Sequence, residues 1–233
     1  MSSPAVPIVM VRDLSFSYPD GTLALEGINF ELADNSTVAL LGPNGSGKTT
    51  FAHHLNGLLR GSGVIEIGGL PVTPANLPRI RRNVGLVFQD SDNQLFMPTV
   101  IEDVAFGLLA GGMRAGEAED RAHQALKQVG LDDKTDKAPW HLSAGEKKRA
   151  AIAGILAGEA KLLVLDEPTT FLDPPAQRSL AELLASLPQA KILITHDVAF
   201  ACRLTNEACF FQNGRITARD NIATLASRFN WTV

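Results

Sequence analysis

The stretch GPNGSGKTT occupies residues 42–50 and follows directly on the apolar run VALL at residues 38–41. A buried strand that turns at once into a helix is the setting that a phosphate-binding loop requires. The glycines let the backbone point successive N–H groups inward, and the following helix adds the positive end of its dipole. The stretch therefore predicts a cradle for a polyphosphate, formed by Gly42, Pro43, Asn44, Gly45, Ser46, Gly47, Lys48, Thr49 and Thr50.

Two side chains at the end of this loop supply the chemistry. Lys48 would reach the β- and γ-phosphates of a nucleotide, and the hydroxyl group of Thr49 would hold a Mg²⁺ ion that bridges them. A glycine-rich surface turn is the alternative interpretation. The full spacing, with Lys-Thr after an apolar strand, favours the phosphate loop.

The charge of the chain argues against a nucleic-acid partner. The chain has 233 residues, of which 45% are hydrophobic and 20% are charged, so it can bury a substantial core. Its net charge is −4 at pH 7 and its isoelectric point is near 5.7. Because this balance gives no basic surface of the kind that DNA or RNA binding needs, we expect no nucleic-acid partner.

The cysteines and the apolar segments are typical of a cytosolic protein. Cys202 and Cys209 show neither metal-ligand spacing nor a disulfide framework, and we expect both to be reduced packing residues in the core. The N-terminal residues lack a positive leader and are interrupted by Arg12 and Asp13, so no secretion signal is expected. The best apolar run, residues 150–157, is far shorter than the roughly 20 residues that cross a bilayer. Any role at a membrane would therefore need a partner.

Hydrophobic periodicity predicts strands in the first third of the chain and helices in the middle. Alternating residues predict strands over residues 8–11, 14–18, 28–32 and 64–67. Helical spacing over residues 117–129 ends at Gly130, and a second helix is predicted from near Ser143.

The last third of the chain returns to strands. Buried strands are predicted over residues 162–165 and 192–194, with a helix over residues 176–187 between them. This βαβ alternation predicts a parallel sheet.

Two adjacent acids follow the first of these strands. Because open α/β sheets bind ligands at the carboxyl ends of their strands, Asp166 and Glu167 would face the phosphate loop. Asp166 would hold the Mg²⁺ shell opposite Thr49, and Glu167 would accept a proton from the attacking water or polarise it. A solvated pair of carboxylates is the alternative, but the phosphate loop and the buried strand before them favour the catalytic interpretation.

Several motifs follow one another along the whole chain, and in this order the chain resembles an ABC-type ATPase. They are Tyr18, the phosphate loop, Gln89, the signature LSAGEKKR at residues 142–149, the Asp166-Glu167 strand, Asp173 and His196. The resemblance implies an α/β fold with a mixed or parallel-sheet nucleotide-binding core, an N-terminal antiparallel β subdomain and an inserted α-helical subdomain. One ATP-binding domain would have its core lobe at residues 1–89 and 160–233 and its helical lobe at residues 90–159. ATP and Mg²⁺ would be the cofactors.

The resemblance assigns roles to three residues around the nucleotide. Tyr18 would stack on adenine, which suits an aromatic face, although a lone tyrosine more often serves packing. Gln89 would touch the Mg²⁺ ion or the attacking water at the hinge between the lobes. His196 would contact the γ-phosphate and hold the catalytic geometry. The implied catalytic set is Glu167, His196 and Gln89, and the implied metal set is Thr49, Gln89 and Asp166.

The signature residues are assigned to a second copy of the chain. By the resemblance, Ser143 and Gly145, with Glu146 beside them, look like the parts that bind the γ-phosphate of the other subunit at a helix N-terminus. Two cassettes of this family close head to tail around two ATP molecules, and Asp173 would help to join the sites. A capping box between Ser143 and Glu146 is the structural interpretation, and both can hold because they use the same helix start.

Two positions depart from the commonest pattern of the family. Ala144 stands where the first signature glycine is usual, and its Cβ would carry a penalty if the backbone needs a positive φ. Phe171 stands where a small residue is usual, which leaves the packing of the dimer seam open. Neither departure removes a catalytic group.

The segment after Gln89 carries a finer resemblance. It reads DSDNQLFMPTV over residues 90–100 and then IEDVAFG, and it is similar to the ATP-binding subunits of energy-coupling factor importers. The run at residues 146–154 points the same way, and within that group the chain is most similar to cobalt and nickel transport ATPases. Many vitamin-type members carry an additional C-terminal segment, so the end at Val233 favours the metal-ion or biotin branch. Biotin or another vitamin is the alternative solute.

The resemblance also implies partners in the membrane. A head-to-tail homodimer would sit at the cytoplasmic face and bind a transmembrane coupling subunit and a substrate-binding membrane subunit. Leu95, Phe96 and Met97 would line a groove for a helix of a membrane subunit, or they would be core residues of the helical lobe. A soluble non-transport ABC ATPase is the alternative of another class. It would normally show two cassettes or a coiled-coil insertion, and this sequence shows neither.

Overall fold

The structure is a computed structural model, and it describes residues 6–91 and 94–231. Its strands are Val9–Ser17 (β1), Leu23–Leu32 (β2), Thr37–Leu41 (β3), Ser62–Ile67 (β4), Leu70–Pro71 (β5), Val84–Val87 (β6), Leu162–Asp166 (β7), Ala190–Ile194 (β8), Glu207–Gln212 (β9) and Arg215–Asn221 (β10). Its α-helices are Lys48–Leu55 (α1), Leu77–Asn83 (α2), Val100–Ala110 (α3), Ala115–Gln128 (α4), Ala144–Ala157 (α5), Pro174–Ser186 (α6), Val198–Cys202 (α7) and Ile222–Arg228 (α8). Three parts of the sequence interpretation lie outside the described residues: the first five positions, Asp92 and Asn93 of the segment after Gln89, and the chain end at Val233.

The first sheet is antiparallel, with the strand order β2-β1-β4-β5. The sequence predicts two strands over residues 8–11 and 14–18, but the structure has one continuous strand, β1, in their place. Asp13 takes a left-handed conformation with a φ of 51°, and the pairing register with β2 shifts between Val11 and Leu14. Because this bulge inserts an extra residue, Val11 and Leu14 both remain on the buried face.

The second sheet is mixed, with the strand order β10-β9-β3-β8-β7-β6. Strands β9, β3, β8, β7 and β6 pair in parallel, and β10 joins β9 antiparallel. Every residue of β7 and β8 is buried, as is usual for parallel strands that are covered on both faces. The predicted α/β fold, with an antiparallel sheet beside a mixed or parallel one, is confirmed.

The register of the mixed sheet gathers the predicted site residues at one edge. Ile194 of β8 lies beside Leu40 of β3 and beside Asp166 of β7. The phosphate loop therefore leaves β3 at the same level at which Glu167 follows β7 and Thr195 follows β8. Because β6 ends in register with β7, the chain after it also emerges at this edge.

The helices α3, α4 and α5, which we call the helical group, follow β6 and precede β7 in the sequence. They pack against one another. Buried residues such as Val104 and Leu126 join this group to one face of the mixed sheet in a hydrophobic cluster. A second cluster joins α1, the antiparallel sheet and the other face, and there Phe51 contacts Phe30 and Phe211. Within the described ranges, no helix has the length and apolar character needed to cross a bilayer.

The two cysteines differ in their surroundings. Cys209 on β9 is buried, but Cys202 at the end of α7 is exposed, so the prediction of a core position is wrong for Cys202. The buried residues of α7 are Phe200 and Ala201, and the short helix turns Cys202 away from them.

Candidate nucleotide-binding site

The phosphate loop turns sharply between β3 and α1. Gly42 and Gly47 have φ values of 135° and 106°, which L-residues rarely adopt. A Cβ atom at Gly42 would overlap the carbonyl oxygen of Phe211, and one at Gly47 would lie 2.6 Å from the carbonyl oxygen of Ala24. Both positions therefore need glycine for space as well as conformation. No side chain caps the start of α1 at Lys48, which leaves its first N–H groups to bind an anion.

Lys48 is buried beneath this loop. Its ammonium group donates hydrogen bonds to the carbonyl oxygens of Gly42 at 2.8 Å and Pro43 at 2.9 Å. Burial lowers the pKa of Lys48, and the negative charges of Glu167 and Asp166 oppose this change. A polyphosphate in the loop would offer the ammonium group charged oxygen acceptors, which make stronger hydrogen bonds than neutral carbonyls.

Thr49 and Asp166 form the oxygen pair that the sequence assigns to a metal ion. The Thr49 hydroxyl group donates a hydrogen bond of 2.7 Å to Oδ2 of Asp166. Burial raises the pKa of the Asp166 carboxyl group, and the hydrogen bond from Thr49 opposes the rise. In the described part of the chain, no three or more His, Cys, Asp or Glu side chains come together as metal ligands. One carboxylate and one hydroxyl group fit Mg²⁺, which usually completes its shell with water and substrate phosphates.

Glu167 follows β7 with a left-handed φ of 45°. Its carboxylate lies 2.9 Å from Nδ1 of His196 and accepts a hydrogen bond of 3.3 Å from the hydroxyl group of Thr195. Rare backbone conformations of this kind cluster at functional sites. The sequence interpretation missed Thr195, although its place directly after a buried strand at the site edge was a usable signal.

The structure brings most of the predicted residues together in one cleft of about 370 Å³. The predicted residues in its lining are Tyr18, Asn44, Gly45, Ser46, Gly47, Lys48, Thr49, Thr50, Gln89, Asp166 and Glu167. His196 reaches this group through its contact with Glu167.

Tyr18 both packs and borders the cleft. Its ring lies edge-on to Phe16, with the ring centroids 5.0 Å apart. Its hydroxyl group shares a hydrogen bond of 2.9 Å with the hydroxyl group of Thr50 in the phosphate loop. The packing interpretation and the adenine interpretation of Tyr18 are therefore compatible.

Gln89 lies two residues after β6, in a segment that α5 contacts. The buried Lys148 of α5 donates hydrogen bonds of 2.7 Å to the carbonyl oxygens of Phe88 and of Gln89. Burial lowers the pKa of Lys148 to about 8, and nearby carboxylates, Asp166 first, oppose the change. The sequence interpretation did not single out Lys148, because a lysine among other charged residues at a helix start gives no local sign of burial.

The signature residues lie at the start of α5 and are not part of the cleft lining of their own chain. Ser143 and Glu146 form the predicted capping box, in which Ser143 N–H donates to the Glu146 carboxylate at 2.8 Å and Glu146 N–H donates to the Ser143 hydroxyl group at 3.3 Å. The hydrogen bond from Ser143 N–H lowers the pKa of Glu146. Asp173 caps α6 by accepting a hydrogen bond of 2.8 Å from Ala176 N–H. Glu146 and Asp173 thus each take part in a helix cap within their own chain.

The two departures from the family pattern differ in their backbone. Ala144 begins α5 and does not have a positive φ, so the penalty considered for its Cβ does not arise. Phe171 has a φ of 66°, which is unfavourable for a bulky side chain, and it is 78% exposed. The backbone at Phe171 is therefore strained, and the backbone at Ala144 is not.

Phe171→Gly is expected to stabilise the chain by about 1 kcal/mol, because a left-handed backbone costs an L-residue roughly 1–2 kcal/mol and the exposed ring contributes little burial. Urea unfolding of the purified chain measures the change. Phe171→Ala is the matched control, since it removes the ring but keeps the Cβ atom. Equal stability of the Gly and Ala variants would contradict the assignment of strain to this backbone.

Comparison with known proteins identifies the family of the chain. The family model described as ABC transporter matches residues 25–170. A putative ABC transporter ATP-binding protein of Streptomyces coelicolor is 49% identical over 218 residues, which cover 93% of this chain and 84% of the relative. The energy-coupling factor transporter ATP-binding protein EcfA of Methanocaldococcus jannaschii is 46% identical over 215 residues, which cover 90% of this chain and 77% of the relative.

Solved structures show the same likeness. The cbiO1 protein from Clostridium perfringens, described as part of the ABC transporter complex cbiONQ, has a TM-score of 0.85 and 36% identity, with coverage of 96% of this chain and 92% of that chain. A dimeric ATP-binding cassette in a post-hydrolysis state, bound to ADP and Pi, has a TM-score of 0.82 and 26% identity, with coverage of 92% and 98%. The chain therefore belongs to the ABC transporter family and is an ATP-binding subunit that hydrolyses ATP.

Proposed function

We propose that this chain is the ATP-hydrolysing subunit of an energy-coupling factor importer at the cytoplasmic face of the membrane, and that the importer takes up cobalt or nickel ions. The observation that carries the transporter role is the likeness to cbiO1, which is 36% identical and extends over almost the whole of both chains. The choice of cobalt or nickel rests on the resemblance of the segment after Gln89. Relatives named energy-coupling factor transporter ATP-binding protein support the same group. Biotin or another vitamin is the alternative solute for an importer of this kind.

Different residues of the cleft would bind the phosphates, hold the metal ion and activate the attacking water. The loop N–H groups and Lys48 would hold the phosphates, and Thr49, Asp166 and Gln89 would hold Mg²⁺. Mg²⁺ held by these residues would supply positive charge against the negative charge that develops during phosphoryl transfer. Glu167 would accept a proton from the attacking water or polarise it, and His196 would keep the Glu167 carboxylate oriented.

Completion of the site would require a second copy of the chain. Ser143 is exposed at the start of α5, and Gly145 lies so close to α6 that a Cβ atom there would be 3.2 Å from the Cβ of Ala176. The starts of α5 and α6, with Asp173, therefore form one surface. A head-to-tail homodimer would bring this surface to the cleft of the other chain, and a solved relative bound to ADP and Pi is described as dimeric. Each site would then be completed in trans.

The transmembrane coupling subunit and the substrate-binding membrane subunit would reach the homodimer through an exposed apolar patch on the helical group. Phe96 and Phe106 are 64% and 43% exposed, and their rings meet edge to face with centroids 5.0 Å apart. Leu109 is exposed one turn further along α3. Asp103 accepts the N–H groups of Phe96 and Met97 at 3.0 Å each and so fixes the segment. Exposed apolar patches of this kind mark protein contacts.

The docking interpretation and the core interpretation of residues 95–97 apply to different residues. Leu95 is half-buried and packs against the hydrophobic cluster that joins the helical group to the mixed sheet, which favours the core interpretation for this residue. Phe96 faces solvent and packs on the exposed ring of Phe106. A helix from the coupling subunit would lie with its apolar face on Phe96 and Phe106.

Phe96→Ala is expected to reduce transport at least fivefold while basal ATP hydrolysis stays within about twofold of wild type, because truncation of an exposed anchor costs about 1–2 kcal/mol of docking energy without touching the cleft. Parallel assays of uptake and phosphate release measure the two quantities. Leu58→Ala, which removes an exposed apolar side chain outside the patch, is the control and should change neither. A fall in thermal stability that accounts for the lost transport would show that Phe96 serves the core instead.

The solute is tested by reconstitution of the chain with its membrane subunits in vesicles and by measuring ATP-dependent uptake of labelled cobalt, nickel and biotin. Uptake of either metal ion supports the proposal. Uptake of biotin alone would retain the importer and replace the solute. If ATP is hydrolysed but no membrane subunit copurifies and no solute moves, the soluble ABC ATPase becomes the better assignment.

A further inference from the structure

Lys148 links the signature helix to the segment that carries Gln89. The side chain is 2% exposed, which is rare for lysine unless it is paired. Its Nζ atom donates hydrogen bonds of 2.7 Å to the carbonyl oxygens of Phe88 and Gln89, which lie 60 and 59 residues away in sequence. These bonds tie α5 to the end of β6, and so tie the helical group to the mixed sheet.

A second side chain, that of Gln94, also bonds to this part of the chain. The Gln94 side chain accepts a hydrogen bond of 3.3 Å from Phe88 N–H and donates one of 2.9 Å to the carbonyl oxygen of Leu86. Gln94 therefore fixes the segment to β6, while Lys148 fixes it to α5. The place of Gln89 in the cleft depends on both anchors.

The start of α5 is the surface that a second cassette would contact. Ser143 lies five residues before Lys148 on the same helix, and the capping box with Glu146 makes this first turn rigid. A displacement of the helix start would therefore carry the ammonium group with it, and the two carbonyl groups would follow.

We propose that Lys148 is a positioning residue for ATP hydrolysis, which sets the place of Gln89 in the cleft and transmits to Gln89 the contact of a second cassette at the start of α5. The proposal rests on the function proposed above.

Lys191 offers a matched control within the same chain. It is 5% exposed, and its Nζ atom donates hydrogen bonds to the carbonyl oxygens of Leu187 at 2.6 Å and Gln189 at 2.8 Å. Like Lys148, it is buried and bonds to two carbonyl oxygens, but its acceptors lie only four and two residues away in sequence. It lies near the start of β8, at the opposite end of the strand from the cleft. If Lys148 had a purely structural role, substitution of either lysine should change the thermal midpoint and kcat in the same way.

The test compares ATP turnover, the KM for ATP and thermal midpoints of the purified chain as wild type, Lys148→Met and Lys191→Met. Both substitutions are expected to lower the thermal midpoint. Lys148→Met is also expected to lower kcat about tenfold with a KM within about threefold of wild type, the pattern of a lost transition-state interaction. Lys191→Met should leave the kcat of the folded protein within about twofold.

A double-mutant cycle with Gln89→Ala decides whether Lys148 acts through Gln89. If it does, Lys148→Met should lower kcat less than about twofold in the Gln89→Ala background, because the residue that it positions is already gone. Lys148→Gln, which keeps an N–H donor, replaces Lys148→Met in the cycle if the methionine variant does not fold.

Additive losses of kcat, or equal losses in the Lys148 and Lys191 variants, would overturn this proposal while the ATPase assignment stands. Absence of turnover in the wild type would overturn the proposed function and this proposal with it.

Discussion

Glu167→Gln is expected to lower steady-state ATP hydrolysis by about 10²- to 10⁴-fold, the range that loss of a general base typically costs. The amide has the size of the carboxylate but cannot accept the proton of the attacking water. Glu167 lies at the end of β7, and it contacts His196 at 2.9 Å and Thr195 at 3.3 Å. Among the described residues, Asp166 is the only other acid that lines the cleft. Phosphate release measures the loss.

The same substitution should preserve ATP binding and accumulate the closed dimer. It removes one negative charge beside the phosphates and leaves Lys48 and the loop unchanged, so the ATP-bound state persists without hydrolysis. Size-exclusion chromatography with ATP reports the dimer. Glu159→Gln, at an exposed glutamate that pairs with Arg121, is the control and should behave as wild type. Turnover near the wild-type rate in Glu167→Gln would remove Glu167 from the catalytic role.

Lys48→Ala is expected to weaken ATP binding about 100-fold, which corresponds to about 2.7 kcal/mol, the energy of one or two charge-assisted hydrogen bonds. Lys48 is buried under the loop, and its ammonium group has two carbonyl acceptors at 2.8 and 2.9 Å that a phosphate would replace. Titration with a fluorescent ATP analogue measures the dissociation constant.

The control for this variant is Lys161→Ala, at an exposed lysine before β7, which should keep wild-type affinity. Circular dichroism verifies that both variants are folded, since Lys48→Ala also removes contacts within the loop. If folded Lys48→Ala bound ATP as tightly as wild type, the loop would not be the phosphate cradle.

Much of the fold and most of the cleft could be predicted because their signals are local. A glycine-rich turn between an apolar strand and a helix has few other uses, and an acid at the end of a buried strand faces the same edge by the geometry of parallel sheets. The capping box at Ser143 and Glu146 is also a short-range pattern, and the structure contains it.

The features that were missed depend on contacts or conformations with no local pattern. The continuity of β1 rests on a left-handed Asp13, and the strain at Phe171 rests on a positive φ that its residue type disfavours. The role of Lys148 depends on carbonyl groups about 60 residues away, and only the folded chain brings them together.

The central claim is that ATP hydrolysis in this cleft drives a membrane importer. The measurement that tests it most directly follows phosphate release and cobalt uptake together, in vesicles that contain the chain and its membrane subunits, for wild type and Glu167→Gln. Our account predicts uptake that depends on ATP in the wild type and the joint loss of uptake and phosphate release in the variant. Cobalt uptake that continues in Glu167→Gln without phosphate release would contradict it.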